Sequence, residues 1–228
     1  VKVASTNYQA RILREKTNKL GFDIFLVHIA GLFDRDGVYG YNDDTERFLA
    51  FQITALDWIA QWEHRPDVIH VHDHHAGLVP FMVSNCYQYA HLNQVPTVLS
   101  IHNAQYQGQF GWDKLHYLPS FDLINTSKLD WSNAINPLAS AIKCAWRVTT
   151  VSPSYLEEIS HVANGLESLL AQERGKSFGV LNGIDTEVSA SGQKGKDAAD
   201  IISVSLTDGI MTFTFADGRT ISIVASPP

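Results

Sequence analysis

The stretch from Pro66 to Asn103 reads PDVIHVHDHHAGLVPFMVSNCYQYAHLNQVPTVLSIHN. Two short segments rich in β-branched and apolar residues lie within it, at 67–72 and 97–101, and each is followed directly by polar side chains. Residues 76–92, between them, are predicted to form a helix. This order of strand, helix and strand predicts two parallel strands of one sheet.

The same alternation continues on both sides of this stretch. Further strands are predicted at 22–29, 147–151 and 179–181, and further helices at 46–62, at 136–145 and from Ser152-Pro153 onward. A serine cap followed by proline is a good signal for a helix start. We therefore expect an α/β fold, a Rossmann-like parallel sheet with helices on both faces and right-handed crossovers.

The composition of the chain changes near residue 189. Residues 189–200 (SASGQKGKDAAD) are small and polar, as in a linker, and residues 201–224 alternate apolar and polar side chains. Asp208-Gly209 and Asp217-Gly218 are typical hairpin turns. We expect an α/β domain at 1–188, a linker at 189–200, and a short C-terminal β-meander at 201–228 to which the sequence assigns no role.

Charge and composition exclude some partners. The 228 residues carry a formal net charge of −7, which argues against a nucleic-acid or anionic-membrane partner. An uninterrupted apolar run of the length that crosses a bilayer is absent from the sequence. Cys86 and Cys144 lie far apart within apolar segments, which favours buried thiols and a reducing, cytoplasmic location.

Polar residues follow two neighbouring predicted strands. Asp73 comes directly after the strand at 67–72, and His102-Asn103 follows the strand at 97–101. In open α/β sheets, ligands bind at the carboxyl ends of the strands. These three residues are therefore a candidate ligand site.

The segment 70–75 (HVHDHH) also raises the alternative of a metal site. A strand places His70 and His72 on one face, so two imidazoles can converge on an ion. The His-x-His-x-Asp-His pattern of zinc hydrolases is not reproduced, because His74 stands where that pattern has its aspartate. The competing structural interpretations are that His70 is a core or hydrogen-bonded histidine, that the other histidines are polar groups of a loop, and that Asp73 caps the helix that follows.

Five segments together resemble the bacterial glycogen/starch synthase family, glycosyltransferase family 5, which has the GT-B fold. In chain order they lie at 32–40 (LFDRDGVYG), 66–73 (PDVIHVHD), 97–108 (TVLSIHNAQYQG), 149–155 (TTVSPSY) and 181–185 (LNGID). The resemblance covers roughly residues 20–188 and corresponds to the N-terminal, acceptor-side domain of that family.

The resemblance implies a retaining transfer of glucose from a nucleotide-glucose, usually ADP-glucose, to the nonreducing end of an α-1,4-glucan, with no cofactor. Asp73 matches the family's aspartate against the transferred glucose, and His102 matches its histidine near the reacting carbon. These two are the candidate catalytic residues. The candidate substrate-binding residues are Tyr39, which matches a tyrosine that approaches the donor, together with His72, His74 and Asn103.

The chain also departs from the family pattern. The family's opening Lys-x-Gly-Gly-Leu loop is not found, and the resemblance stops at Ser189, before the domain that mainly binds the nucleotide sugar. His74 stands where many relatives have tryptophan. We expect the α-1,4-glucan as partner and the nucleotide sugar only together with the C-terminal domain. The chain alone is expected to transfer little or no glucose, and ADP-glucose and UDP-glucose stay open as donors.

Two further interpretations are left open. The chain can act as a glucan-binding module that catalyses nothing, using the same cleft residues. The long loop at 103–131 is rich in aromatic residues, which serve either to stack on glucan rings or to form a hydrophobic lid packed on the domain. The aromatic residues of this loop are Tyr106, Phe110, Trp112, Tyr117, Phe121 and Trp131.

Overall fold

The computed structural model describes residues 1–17 and 21–182, and the backbone of three strands within 201–224. The segment around 181–185, the linker at 189–200 and the two Asp-Gly turns therefore lie wholly or partly outside the described residues. The chain forms two compact units, Val1–Asn182 and Gly183–Pro228. No helix in the described ranges has both the length and the apolarity that crossing a membrane requires.

The first unit opens with short antiparallel strands. Strand β1 (Lys2–Val3) pairs with β2 (Thr6–Asn7), and β3 (Ala10–Arg14) pairs with β4 (Phe25–Ile29). The sequence predicts the last of these strands, but as part of an α/β alternation. The structure instead places it in a separate two-stranded sheet.

Helix α1 (Asp44–Ile59) follows a loop and packs one face on the core. Leu49, Ile53 and Leu56 are buried on that face. Phe48, on the same helix, is only partly buried and lines a cleft described below.

The remaining elements of the first unit build the parallel sheet and its connections. In chain order the strands and α-helices are β5 (Ile69–His72), α2 (Val79–Asn85), β6 (Thr97–Ile101), β7 (Asp130–Trp131), β8 (Ala134–Ile135), α3 (Pro137–Cys144), β9 (Arg147–Thr150), α4 (Pro153–Ile159), α5 (Glu167–Gln172) and β10 (Ser177–Gly179). Short 3₁₀ segments, the first at His74–Ala76 directly after β5, lie between them.

Strands β5, β6, β9 and β10 form one sheet in the order β10-β9-β6-β5, with every neighbouring pair parallel. The predicted α/β class and parallel sheet are confirmed. Alternate residues of β6, such as Leu99 and Ile101, are fully buried, so the strand contributes to the core as its β-branched pattern indicates.

The predicted continuous helix at 76–92 is wrong, because the segment is divided. After the 3₁₀ turn, α2 starts with Pro80 in its first turn, where a missing N–H costs nothing. It stops at Cys86, whose ψ of 132° is extended and which bridges to Phe121. A second 3₁₀ segment, Tyr87–Leu92, leads toward β6.

The second unit contains three strands, β11 (Ile201–Thr207), β12 (Ile210–Phe215) and β13 (Thr220–Val224). They pair antiparallel in sequence order. This arrangement is the meander that the alternating pattern predicts.

Candidate functional site

The carboxyl ends of β5 and β6 lie side by side and bring the two predicted polar groups together. His72 is paired with Ser100, and the backbone N–H of Asp73 donates to the Ser100 carbonyl at 3.0 Å. One carboxylate oxygen of Asp73, Oδ1, accepts the backbone N–H of His102 at 2.7 Å and that of Asn103 at 3.3 Å. Asp73 therefore holds the start of the loop that carries His102.

The interpretation of Asp73 as a helix cap is wrong. Asp73 precedes the 3₁₀ turn His74–Ala76, but its side chain makes no capping hydrogen bond there. Its backbone has φ of 51°, which is uncommon for a residue other than glycine. This conformation accompanies the two hydrogen bonds to the end of the neighbouring strand.

His72 and His102 are hydrogen-bonded to each other. Nδ1 of His72 lies 3.0 Å from Nε2 of His102, so one ring donates and the other accepts. The pKa of His72 is lowered, first by burial and then by the neighbouring His70 and His102. Because only one of the two bonded nitrogens carries the shared proton, the tautomer of a neutral His72 and that of His102 depend on each other.

His70 has a separate partner. Its Nε2 lies 2.8 Å from Ser100 Oγ, which in turn lies 2.6 Å from Thr149 Oγ1 on the next strand. Burial lowers the pKa of His70. The interpretation of His70 as a hydrogen-bonded strand histidine is confirmed.

The alternative of a metal site finds no matching donor arrangement. Across residues 1–17 and 21–182, no three or more histidine, cysteine, aspartate or glutamate side chains are grouped so as to hold an ion. His70 is bonded to Ser100, His72 to His102, and Asp73 to backbone amides. The donors of the 70–75 segment are thus directed to other partners.

His74 and His75 form a stacked pair. Their ring centroids are 3.8 Å apart at an interplanar angle of 29°, and the Phe48 ring meets both edge-on. Burial, followed by the neighbouring His75, lowers the pKa of His74 to about 4. Burial also lowers the pKa of His75, so both rings are uncharged at neutral pH.

Gly108 approaches this stack closely. A Cβ on Gly108 would lie 2.7 Å from His74 Nδ1, and φ at this position is +69°. Only glycine meets both requirements without rearrangement. The loop after β6 therefore packs directly on His74.

A cleft of about 530 Å³ opens between α1, the histidine stack and the loop after β6. Its size is typical of small-ligand sites, and aromatic side chains with a few polar groups line it. Four predicted site residues border it, Tyr39, Asp73, His74 and Asn103, whereas His72 and His102 are not among its lining residues. Tyr39 is 68% exposed and also borders a second cleft of about 400 Å³.

Most aromatic residues of the loop at 103–131 fit the interpretation as a packed lid, and one fits the interpretation as a stacking surface. Phe110, Trp112, Tyr117, Phe121 and Trp131 are partly buried against the core, as a packed lid requires. Tyr106 is 67% exposed and borders the cleft. It is the aromatic residue of this loop best placed to stack on a ligand.

Two residues that support the site were not identified from the sequence. The Tyr155 hydroxyl accepts the backbone N–H of Ala104 at 3.0 Å, and the buried Gln107 makes several hydrogen bonds. Both stand within segments that carry the family resemblance, at 97–108 and 149–155. Their position in those segments is a signal of importance, but it does not indicate what they contact.

Comparison with known proteins gives one consistent result. A family model described as the starch synthase catalytic domain matches residues 1–172. This match includes residues 1–20, which the motifs had left outside the resemblance.

Among curated proteins, a glycogen synthase from Flavobacterium johnsoniae is 54% identical over 188 residues, covering 82% of this chain and 40% of that protein. A glycogen synthase from Streptococcus uberis is 42% identical over 161 residues, covering 68% of this chain and 34% of that protein.

Among solved structures, the catalytic domain of starch synthase IV from Arabidopsis thaliana, bound to ADP and acarbose, is similar with a TM-score of 0.71 and 28% identity. The similarity covers 81% of this chain and 39% of that chain. The chain therefore spans about two fifths or less of the length of these relatives.

Proposed function

Because this chain belongs to the family of starch synthase catalytic domains, we propose that it forms the acceptor-side half of a glucosyltransferase. That enzyme transfers glucose from ADP-glucose to the nonreducing end of an α-1,4-glucan, with retention at the anomeric carbon and without a cofactor. The relatives named glycogen synthase and the structure bound to ADP and acarbose support this assignment. A cytoplasmic location is part of the same proposal.

The observation that carries the proposal is the contact between Asp73 and the loop that begins at His102. Asp73 Oδ1 accepts two backbone N–H groups, while Oδ2 makes no hydrogen bond within the described residues. His102 uses Nε2 toward His72, and its Nδ1 has no bonded partner in the described part of the chain. One carboxylate oxygen and one imidazole nitrogen are thus free for sugar hydroxyls.

These groups suit a retaining transfer. Positive charge builds at the anomeric carbon and negative charge on the leaving phosphate, so much of the rate depends on positioning and on preorganised electrostatics. Asp73 supplies negative charge beside the cleft, and the hydrogen bond between His72 and His102 couples the tautomers of the two rings. The aromatic rim at Tyr39 and Tyr106 offers faces on which sugar rings stack.

Calorimetric titration of the purified 228-residue chain tests the proposal. Maltoheptaose and ADP-glucose are titrated separately, with His102→Ala as the site variant and His91→Ala, an exposed histidine outside the cleft, as its control. We expect maltoheptaose to bind the wild type and the control, and to bind His102→Ala more weakly. Absence of any glucan binding to the wild type would contradict an acceptor-side role.

A transfer assay tests whether this chain is half of the enzyme or is active by itself. Purified chain is incubated with glycogen and ADP-glucose, and incorporation of glucose into the polymer is measured. We expect little or no transfer by this polypeptide alone. Elongation at an ordinary enzymatic rate would instead place all donor contacts within these 228 residues.

A further inference from the structure

The loop that follows β6 supplies one wall of the cleft, so the cleft depends on what holds this loop in place. Asn103, Tyr106 and Gly108 all border the cleft. Gln107 lies among them but is only 5% exposed. Its side chain is buried while the residues on either side face the ligand space.

The Gln107 amide joins three segments that are distant in sequence. Its Nε2 donates to the carbonyl oxygens of Asn164 at 3.0 Å and Ala163 at 3.1 Å, with a longer contact to Ala104 at 3.3 Å. Its Oε1 accepts from Asn136 Nδ2 at 2.8 Å. One side chain thus connects the loop to the turn before α5 and to the start of α3.

The chemistry of its partners fixes the orientation of this amide. Asn136 is fully buried and caps α3, where its Oδ1 must accept the N–H of Ala139 at 2.9 Å. Its Nδ2 therefore faces Gln107, which has to present oxygen on that side. The carbonyl groups of Ala163 and Asn164 can only accept, so the Gln107 nitrogen has to lie on the other side.

We infer that Gln107 is a positioning residue, whose buried amide sets the path of the loop that places Asn103 and Tyr106 at the cleft and holds Gly108 against His74. Glutamate at this position has the same shape as glutamine; as a carboxylate it puts an acceptor against two carbonyl groups, and as the neutral acid it can donate to only one of them. An unpaired buried polar group of this kind is costly. The loop should then move away from the turn at 163–164, and Gly108 should lose its contact with His74.

The test compares Gln107→Glu with Gln105→Glu in the 228-residue chain. Gln105 lies in the same loop and is exposed, so the control carries the same change of charge outside the buried network. The first readout is the set of histidine-ring NMR signals, with His74 identified by its loss in His74→Gln. In Gln107→Glu we expect the signals of His74 and His75 to shift while that of His91, an exposed residue outside the cleft, stays in place.

The second readout is maltoheptaose affinity by calorimetry, and this arm rests on the proposed function. Binding should weaken about tenfold or more in Gln107→Glu and stay within about twofold of wild type in Gln105→Glu. Should the wild type bind no glucan, the proposed function fails, and the histidine signals still decide whether Gln107 positions the loop.

Circular dichroism checks that Gln107→Glu is folded. Should it be unfolded, Gln107→Met takes its place, since methionine has similar length and removes the hydrogen bonds without adding charge. A folded variant with wild-type His74 signals would overturn the inference. If the wild type binds maltoheptaose, a folded variant that binds it with the same affinity would also overturn the inference.

Discussion

At Asp73 the backbone takes φ of 51° and ψ of −167°, a region that glycine enters readily and other residues enter at a cost of about 1–3 kcal/mol. The same residue accepts the backbone N–H groups of His102 and Asn103. Hydrogen bonds to a charged acceptor contribute about 1.5–3 kcal/mol each when they are well formed. The hydrogen bonds therefore offset the backbone cost, and both effects can be separated by substitution.

We predict that Asp73→Ala lowers the free energy of unfolding by about 1–3 kcal/mol, because alanine keeps the backbone cost and loses one short hydrogen bond, to His102, and one long and therefore weak one, to Asn103. Asp73→Gly should be less destabilising, since glycine removes the backbone cost. Asp73→Asn should come nearest to the wild type, because an amide oxygen still accepts. Urea unfolding measures all three against Asp67→Ala, an exposed carboxylate before the same strand. Equal effects of alanine and glycine would contradict the strained backbone.

His74 is expected to make the stability of the protein depend on pH. Its pKa is lowered from 6.5 to about 4, so the unfolded chain binds a proton on this ring at a higher pH than the native chain does. The free energy of unfolding then falls as the pH is lowered from about 6.5 toward about 4. We predict that His74→Gln reduces the loss of stability between about pH 7.5 and about pH 5.

Urea unfolding at these two pH values measures the effect. His91→Gln, which removes an exposed histidine outside the cleft, is the control. His70, His72 and His75 also have lowered pKa values and contribute in the same direction, so a residual dependence on pH should persist in His74→Gln. An unchanged pH dependence in His74→Gln would contradict the burial of its ring.

Among the elements, the contact between β10 and the start of α4 leaves no room for a side chain on the strand. A Cβ on Gly179 would overlap the backbone of Pro153, the first residue of α4. Ser152 caps that helix by accepting the N–H of Tyr155 at 2.9 Å, and Tyr155 in turn supports the loop after β6. The last strand of the sheet therefore sets the position of a helix that supports the cleft.

We predict that Gly179→Ala destabilises the protein by about 1–3 kcal/mol, the usual cost of overpacking, because backbone atoms cannot move aside as a flexible side chain does. Gly175→Ala is the matched control, since a Cβ there meets no atom within 4 Å. Thermal and urea unfolding of both variants give the comparison. Equal stability of the two variants would show that β10 and α4 can separate without cost.

The sequence predicts elements well where one pattern dominates. β6 matches its predicted bounds, because its residues alternate between buried and half-buried positions. The start of α4 was likewise signalled by Ser152-Pro153. The helix predicted across 76–92 failed because Pro80 and Cys86 interrupt it, and the short strands β1 and β2 carry too few residues for a periodic signal.

At the scale of the whole molecule, the site arises from the order of strands in the sheet. The rule that ligands bind at the carboxyl ends of parallel strands is sufficient to predict from the sequence that Asp73 and His102 lie together. The network around Gln107 could not be predicted in this way. Its partners Asn136, Ala163 and Asn164 are separated from Gln107 by 29 to 57 residues in sequence, and no local pattern specifies such contacts.

The close approach of Gly108 to His74 also limits how this protein can evolve. The two positions are 34 residues apart in sequence but compete for one volume, so a side chain added at one has to be matched by a smaller one at the other. If residue 108 is enlarged first, its new side chain collides with the His74 ring, and that order is blocked. If residue 74 is replaced by a smaller residue first, a later side chain at 108 meets only the cost of the positive φ there. The order in which substitutions arise, rather than their final combination, therefore decides which variants of this cleft are reachable.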